Sequence, residues 1–212
     1  MHPVPTLLHI DSSADLTASR TRALTAEFAE AWTSRGGEYT VVYRDLHRDQ
    51  LPHLQNVAQH WPERLRGGVE VPASADAVQE ELLTELLSAD AVVIGSPLYN
   101  YSMPSTLKAW VDHIHVPGIT SPFDEATQPL AGRPAVVISA RGASYDAGSP
   151  SESWDHGSAA LSIVLGESLG MDVSVVATSR TLADIVPALG SEAAAQEFAA
   201  AREQAHTLAK TL

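Results

Sequence analysis

Hydroxyl side chains crowd one polar stretch near the start of the chain. Ser12, Ser13, Thr17, Ser19 and Thr21 lie close together there, with Arg20 among them. An apolar run precedes the stretch, and Leu24, Phe28 and Ala31 follow at helical spacing, so these groups surround a helix start. Helix-terminal N–H groups, hydroxyl donors and a guanidinium together suit a phosphate monoester. The stretch lacks GxxxxGKS/T and GxGxxG, so it is neither an NTPase P-loop nor the usual dinucleotide turn. A capped helix with Ser19 as its N-cap explains the same residues without a ligand.

Two further segments carry chemistry. Pro97-Leu98-Tyr99-Asn100-Tyr101 follows the wholly apolar run from Ala91 to Gly95, and offers flat stacking surface, an amide and backbone groups. A planar, hydrogen-bonding cofactor such as a flavin or a nucleotide needs those groups. Tyrosines that pack locally at a surface turn are the alternative. In Ser139-Ala140-Arg141-Gly142-Ala143 a hydroxyl stands near a glycine that lets backbone N–H groups approach a ligand. Alone, that pattern also describes an ordinary strand-to-loop turn.

The elements that must position these loops alternate along the chain. Strands are expected at Val4 to Ile10, Tyr39 to Tyr43, Ala91 to Gly95, Pro134 to Ile138 and Asp172 to Ala177. Helices are expected around Leu24/Phe28, around Ala75/Val78/Leu82/Leu86, and over residues 104–116. Two more follow, around Leu161/Val164/Leu165/Leu169 and from Ala194 to Leu208. Strands too apolar for a wet face imply an α/β fold with a parallel sheet covered on both sides. Five strands favour the flavodoxin-like three-layer sandwich, order 2-1-3-4-5, with its ligand between strands one and three. Residues 1–212 read as one domain. The irregular stretch at 45–73 is long enough to suggest a functional or mobile loop.

Composition narrows the chemistry. The chain has no cysteine, which excludes disulfides, thiolate nucleophiles and cysteine metal sites, so redox work requires a cofactor. A formal charge of −13 argues against a nucleic-acid partner, and a bound phosphate would depend on local donors. No apolar run reaches the roughly 18 residues of a membrane span. Met1-His2-Pro3 lacks the basic-then-apolar layout of a signal peptide, so a cytoplasmic protein is expected. His113 and His115 read as helix-end residues rather than metal ligands, and Lys108 with Asp112 as a surface pair. Ser96 precedes proline, not the glycine of a nucleophile elbow.

With these segments in order and at such spacing, the chain resembles the FMN-dependent NADH azoreductases, within the flavodoxin-like NAD(P)H:quinone oxidoreductase superfamily. The matching segments are Ser12-Ser13…Ser19-Arg20-Thr21, Pro97 to Tyr101, Pro104-Ser105-Thr106-Leu107-Lys108…Asp112-His113-Ile114 and Ser139 to Gly142. The resemblance implies that Ser12, Ser19, Arg20 and Thr21 hold the FMN phosphate. Pro97, Leu98, Tyr99, Asn100 and Tyr101 would run along the ring and ribityl chain, and Ser139, Arg141, Gly142 and Ala143 would line its pyrimidine end. It further implies a homodimer that encloses a pocket for a small quinone or azo substrate. Trp61, from the facing subunit, and Tyr145 would shape that pocket; a Trp61 that pins the irregular loop to its own body is the alternative. NADH or NADPH would reduce the flavin, and the acceptor would then take two electrons in a ping-pong sequence. A flavin reductase, a flavodoxin-type electron carrier or a flavin-free interaction protein are the competing readings. The family often has glycine where Ala143 stands, and an acidic residue and a glycine where this chain has Thr178-Ser179-Arg180. Alanine at a positive φ would cost on the order of 1 kcal/mol, so a locally different backbone is expected at Ala143.

Overall fold

The computed structural model describes residues 4–212; Met1-His2-Pro3, read above for a leader pattern, lie outside them. β1 (Thr6–Asp11), β2 (Thr40–Asp45), β3 (Ala91–Pro97), β4 (Pro134–Ala140) and β5 (Asp172–Thr178) form one parallel sheet. Its order is β2-β1-β3-β4-β5, as the strand count and spacing imply.

Alternation along the central strands feeds two separate cores. Leu8, Ile10, Val92, Ile94 and Val137 pack towards α2 (Ala73–Ser88), α3 (Ser105–Ile114) and α4 (His156–Leu161), meeting Leu82, Leu86, Leu107, Trp110 and Leu161. Leu7, Val93, Val136 and Ile138 face the other way, against Leu24 and Phe28 of α1 (Arg20–Thr33) and Ala201 and Ala205 of α5 (Ser191–Thr211). Each large apolar side chain taken fully from water contributes about 1.5–3 kcal/mol. This two-sided burial explains why β3 is buried at every residue. The expectation of dry strands fails at the sheet edges, where Val42, Tyr43 and Val175 are part-exposed. Each edge strand has a single neighbour, and its outer flank meets solvent.

Two segments differ from simple expectation. The fourth helix is α-helical only to Leu161, and Ser162–Ser168 continues it as a π-helix. The wider turn is visible where Leu169 N–H donates to Val164 O at 2.9 Å, five residues back. The stretch at 45–73 contains two short 3₁₀ turns, Val57–His60 and Glu63–Leu65. Buried Gln59 ties it down: its Oε1 accepts from Gln55 N–H, and its amide donates to Ala75 O. Gln79 then donates to Gln59 O at 2.8 Å and His113 O at 3.0 Å. Among the described residues no helix is long and apolar enough to cross a membrane.

Candidate functional site

Strand order reverses between β1 and β3, and ligands of such sheets gather outside the carboxyl ends at that point. Asp11 pairs there with Gly95. A Cβ on residue 95 would lie 2.8 Å from Asp11 Oδ1 and 3.2 Å from the Thr25 methyl, so only glycine fits. Ser12 Oγ donates to Gly95 O at 2.6 Å. Its proton is thus committed to the sheet edge rather than to the loop above.

Ser19 does cap α1, accepting from Arg22 N–H at 3.3 Å and pairing with Thr21 Oγ1 at 3.0 Å. Capping and anion binding are compatible here. The first-turn N–H groups of Arg20 and Thr21 still have no intrahelical acceptor. The Arg20 guanidinium points elsewhere. It donates to Thr178 Oγ1, Ser179 O and Ala194 O, and lies 5.2 Å from the Phe198 ring centre. Its charge therefore serves the β5–α5 junction, and its backbone N–H is what it offers at the helix start. Asp15 shapes the loop by accepting from Thr17 and Ala18 N–H, which hold its carboxyl below the ordinary range.

A buried charge network that the sequence did not reveal adjoins this loop. Arg22 donates to both oxygens of Asp45 at 2.8 Å, and twice to Ser13 O at 2.8 and 3.2 Å. Asp11 accepts from Thr25 Oγ1 at 2.8 Å and Tyr43 Oη at 3.1 Å, with His9 Nε2 3.4 Å and Arg22 Nη1 3.5 Å away. Burial pushes Asp45 up, but Arg22 and the Arg48 and His47 N–H groups outweigh it and bring it down to about 2. Burial likewise opposes the lowering of Asp11 by His9, Thr25 and Arg22, and the lowering prevails. Burial, together with the two carboxylates, pushes Tyr43 up to about 12. One signal was available in the sequence: Asp11 and Asp45 are acids at the carboxyl ends of two strands. Nothing in the spacing names Arg22 as their partner.

The β3 exit is a two-residue hairpin turn. Tyr99 and Ser102 exchange hydrogen bonds of 2.9 and 3.0 Å, with Asn100 at φ 49° and Tyr101 at φ 68° between them. Such turns need positive φ at both central residues, and a bulky residue there is strained by about 1–2 kcal/mol. Tyr99 Oη accepts from Ala14 N–H at 3.1 Å and lies 3.4 Å from Ser13 Oγ, so the phenol bridges the β1 and β3 loops. Tyr101 sets its ring edge-on to Trp154, 5.5 Å between centres, and its carbonyl accepts from His156 N–H. Pro97 and Leu98 continue the sheet edge, with Leu98 N–H donating to Ala140 O.

Beyond β4 the backbone is tied to β5. Buried Ser139 pairs in register with Ser96 and Ala177. Arg141 N–H donates to Thr178 O, and Leu182 N–H to Gly142 O. A Cβ on Gly142 would press on Leu182 at 3.0 Å. Ala143 does not take a positive φ, so the strain that alanine would carry there does not arise. Among the described residues, the non-glycine positions with positive φ are Asn100, Tyr101 and Arg180, the last at 59°. The left-handed residue of this region therefore sits after β5, at Arg180. Arg180 is held there by its side chain, which pairs with Glu197 and Asp146 and donates to Leu189 O and Ser144 Oγ.

Arg141 lies over the Tyr145 ring, 5.1 Å from its centre, and 3.6 Å from Asp155 Oδ2, while its Nε is buried without a partner. Asp155 caps α4 through Ser158 N–H. Burial and the Asp155 charge raise Tyr145. Trp61 is not brought to this edge within the chain. Its ring packs on Phe123 at 4.8 Å and lines a cavity of about 450 Å³ between α2 and residues 116–119. His113 and His115 bond to Pro52 O and Ser168 Oγ, and Lys108 pairs with Asp112.

Comparisons with known proteins bear on this edge. A family model described as a flavodoxin-like fold matches residues 5–208. The FMN-dependent NADH:quinone oxidoreductase of Kineococcus radiotolerans is 58% identical over 99% of this chain and 100% of its own. FMN-dependent NADH:quinone oxidoreductase 2 of Pseudomonas aeruginosa is 40% identical over 93% of this chain and 95% of its own. Among solved structures, an azoreductase from Bacillus anthracis (Sterne) aligns with TM-score 0.82 and 20% identity over 98% of this chain and 100% of that one. An FMN-dependent NADH-azoreductase from the Ames Ancestor strain, in complex with FMN, aligns at 0.78 and 23% identity over 97% and 99%. At such identities the solved structures speak for the fold, and the sequence relatives speak for the family. With a flavodoxin-like sheet and this degree of identity to its relatives, the chain belongs to the family of FMN-dependent NADH:quinone oxidoreductases.

Proposed function

We propose that this protein is an FMN-dependent oxidoreductase that takes electrons from NADH and reduces quinones and azo compounds. The observation that carries the reading is the switch-point edge, where the acceptor-free first turn of α1 meets a hydroxyl-bearing loop joined by Tyr99 to the β3 turn. The residues present fit the cofactor. Arg20 and Thr21 N–H groups with the Ser19 and Thr21 hydroxyls would hold the phosphate. Tyr99, Asn100 and Tyr101 would lie along the ring and ribityl chain. The N–H groups after Ser139 and the partnerless Arg141 Nε would face the polar end of the ring and stabilise negative charge there.

FMN, when bound, supplies the two-electron chemistry that a chain without cysteine does not carry itself. The residues contribute orientation, exclusion of water and fixed donors. Donor and acceptor would occupy the same face in turn, a ping-pong order, with Tyr145 and Trp154 bordering it. The protein would act in the cytoplasm as one domain per chain and as a homodimer. Trp61, half-buried beside the exposed Phe123, would reach the site from the second copy.

An absorbance titration tests the reading. Purified protein with FMN should bleach on anaerobic NADH and recover its visible bands in one step when a quinone is added. FMN that binds but is not bleached by NADH or NADPH would turn the assignment towards an electron carrier. A protein that binds no FMN would remove the site assignment altogether.

A further inference from the structure

We infer that Arg22 is a positioning residue for the phosphate loop, working through the backbone of Ser13 and the charges of Asp11 and Asp45 rather than by touching phosphate itself. The inference rests on the flavin reading above. Arg22 stands in the first turn of α1, where a guanidinium would ordinarily be taken for an anion ligand. Its donors are already committed. Two go to Ser13 O at 2.8 and 3.2 Å, two form a fork on Asp45 at 2.8 Å each, and the fifth goes to Tyr43 Oη at 3.3 Å. Its side chain is only 14% exposed and that of Asp45 4%.

The arrangement has two consequences. The carbonyl of Ser13 is fixed to the end of β2 through Asp45, which itself accepts from His47 and Arg48 N–H at 3.1 and 3.2 Å. The loop between Ser12 and Ser19 thereby keeps one shape before any ligand arrives. In addition, Arg22 compensates two carboxylates, Asp45 and Asp11, at the base of this loop. The other charged or titratable groups facing the pair are His9, Tyr43 and Arg48. Of these, Arg48 is 64% exposed and lies 3.5 Å from Asp45, too loosely placed to substitute for Arg22. In a chain with a net charge of −13, the loop can accept an anion only if these two acids are locally compensated.

Riboflavin, which has FMN's ring and ribityl chain but no phosphate, separates loop positioning from general damage. Dissociation constants for both flavins would be measured by fluorescence quenching on the wild type, Arg22→Gln and the double variant Arg22→Gln/Asp45→Asn. The double variant removes Asp45, the nearer of the two carboxylates that lose their cation, and keeps the test readable where the single variant fails to fold. In either variant FMN should bind about tenfold or more weaker than in the wild type, with riboflavin affinity unchanged. Equal weakening of both flavins would overturn the inference, since it would signal a structural role only. Unchanged FMN affinity would overturn it as well. A wild type that binds neither flavin would instead sink the flavin reading, and the inference with it.

Discussion

Two loops at the same sheet edge are held by arginines in opposite ways. Arg22 anchors the β1 loop through buried Asp45 and a backbone carbonyl, and both partners are shielded from water. Arg180 anchors the β4 loop through Asp146 and Glu197, whose side chains are 54% and 30% exposed. A shielded pair is expensive to break, because removing one member leaves a buried charge. A solvated pair is weakened by salt and contributes little. The β1 loop is therefore held by a stiff anchor, while the β4 loop rests on a weaker one.

Breaking the shielded anchor should have the largest effect. Arg22→Ala should destabilise the fold by about 3–5 kcal/mol, read as a shift of the urea midpoint. A loss below about 1 kcal/mol would erase the contrast. Next comes Gly95→Val, which forces side-chain atoms into Asp11 and Thr25. It should lose about 1–3 kcal/mol and disturb the switch point, seen as slower and weaker FMN uptake.

Acid probes the same network without mutation. Asp45 titrates near 2 when folded, below the unfolded value near 4. Its contribution is complete above the unfolded value and is lost as pH falls through the folded one. Stability of the wild type should drop between about pH 4 and 2. The slope should flatten in Asp45→Asn, as followed by thermal melting; an unchanged slope would remove Asp45 from the account.

Smaller effects sharpen the comparison. Tyr99→Phe removes the phenol that accepts from Ala14 N–H and should cost about 1 kcal/mol, with faster amide exchange at Ala14 as the local sign. Asp146→Asn should change stability by less than about 1 kcal/mol, and by less still at high salt. A larger loss, insensitive to salt, would place Arg180 in the same class as Arg22.

Much of this architecture was readable from side-chain order alone. Apolar runs at regular intervals set the five strands, and their dryness required helices on both faces, which left few sheet orders. The hydroxyl loop and the Tyr99–Tyr101 turn were visible because their residue types are unusual beside apolar strands. Burial pattern, in other words, is written locally, since period and composition decide which faces avoid water.

What only the tertiary structure decided concerns partners that are distant in the chain. Arg20 and Arg22 are near neighbours in sequence and look equally suited to an anion, yet one serves β5 and α5 and the other Ser13 and Asp45. Ser12 has the composition of a loop donor but gives its proton to Gly95, a contact made by pairing β1 with β3. The left-handed backbone falls on Arg180 rather than Ala143 because the side-chain contacts of Arg180, with Glu197, Asp146, Leu189 and Ser144, hold it there. Hydrogen bonds and charges are directional and short in range. Which of several plausible groups receives them depends on where folding has put the acceptors, and that information is absent from any short window of sequence.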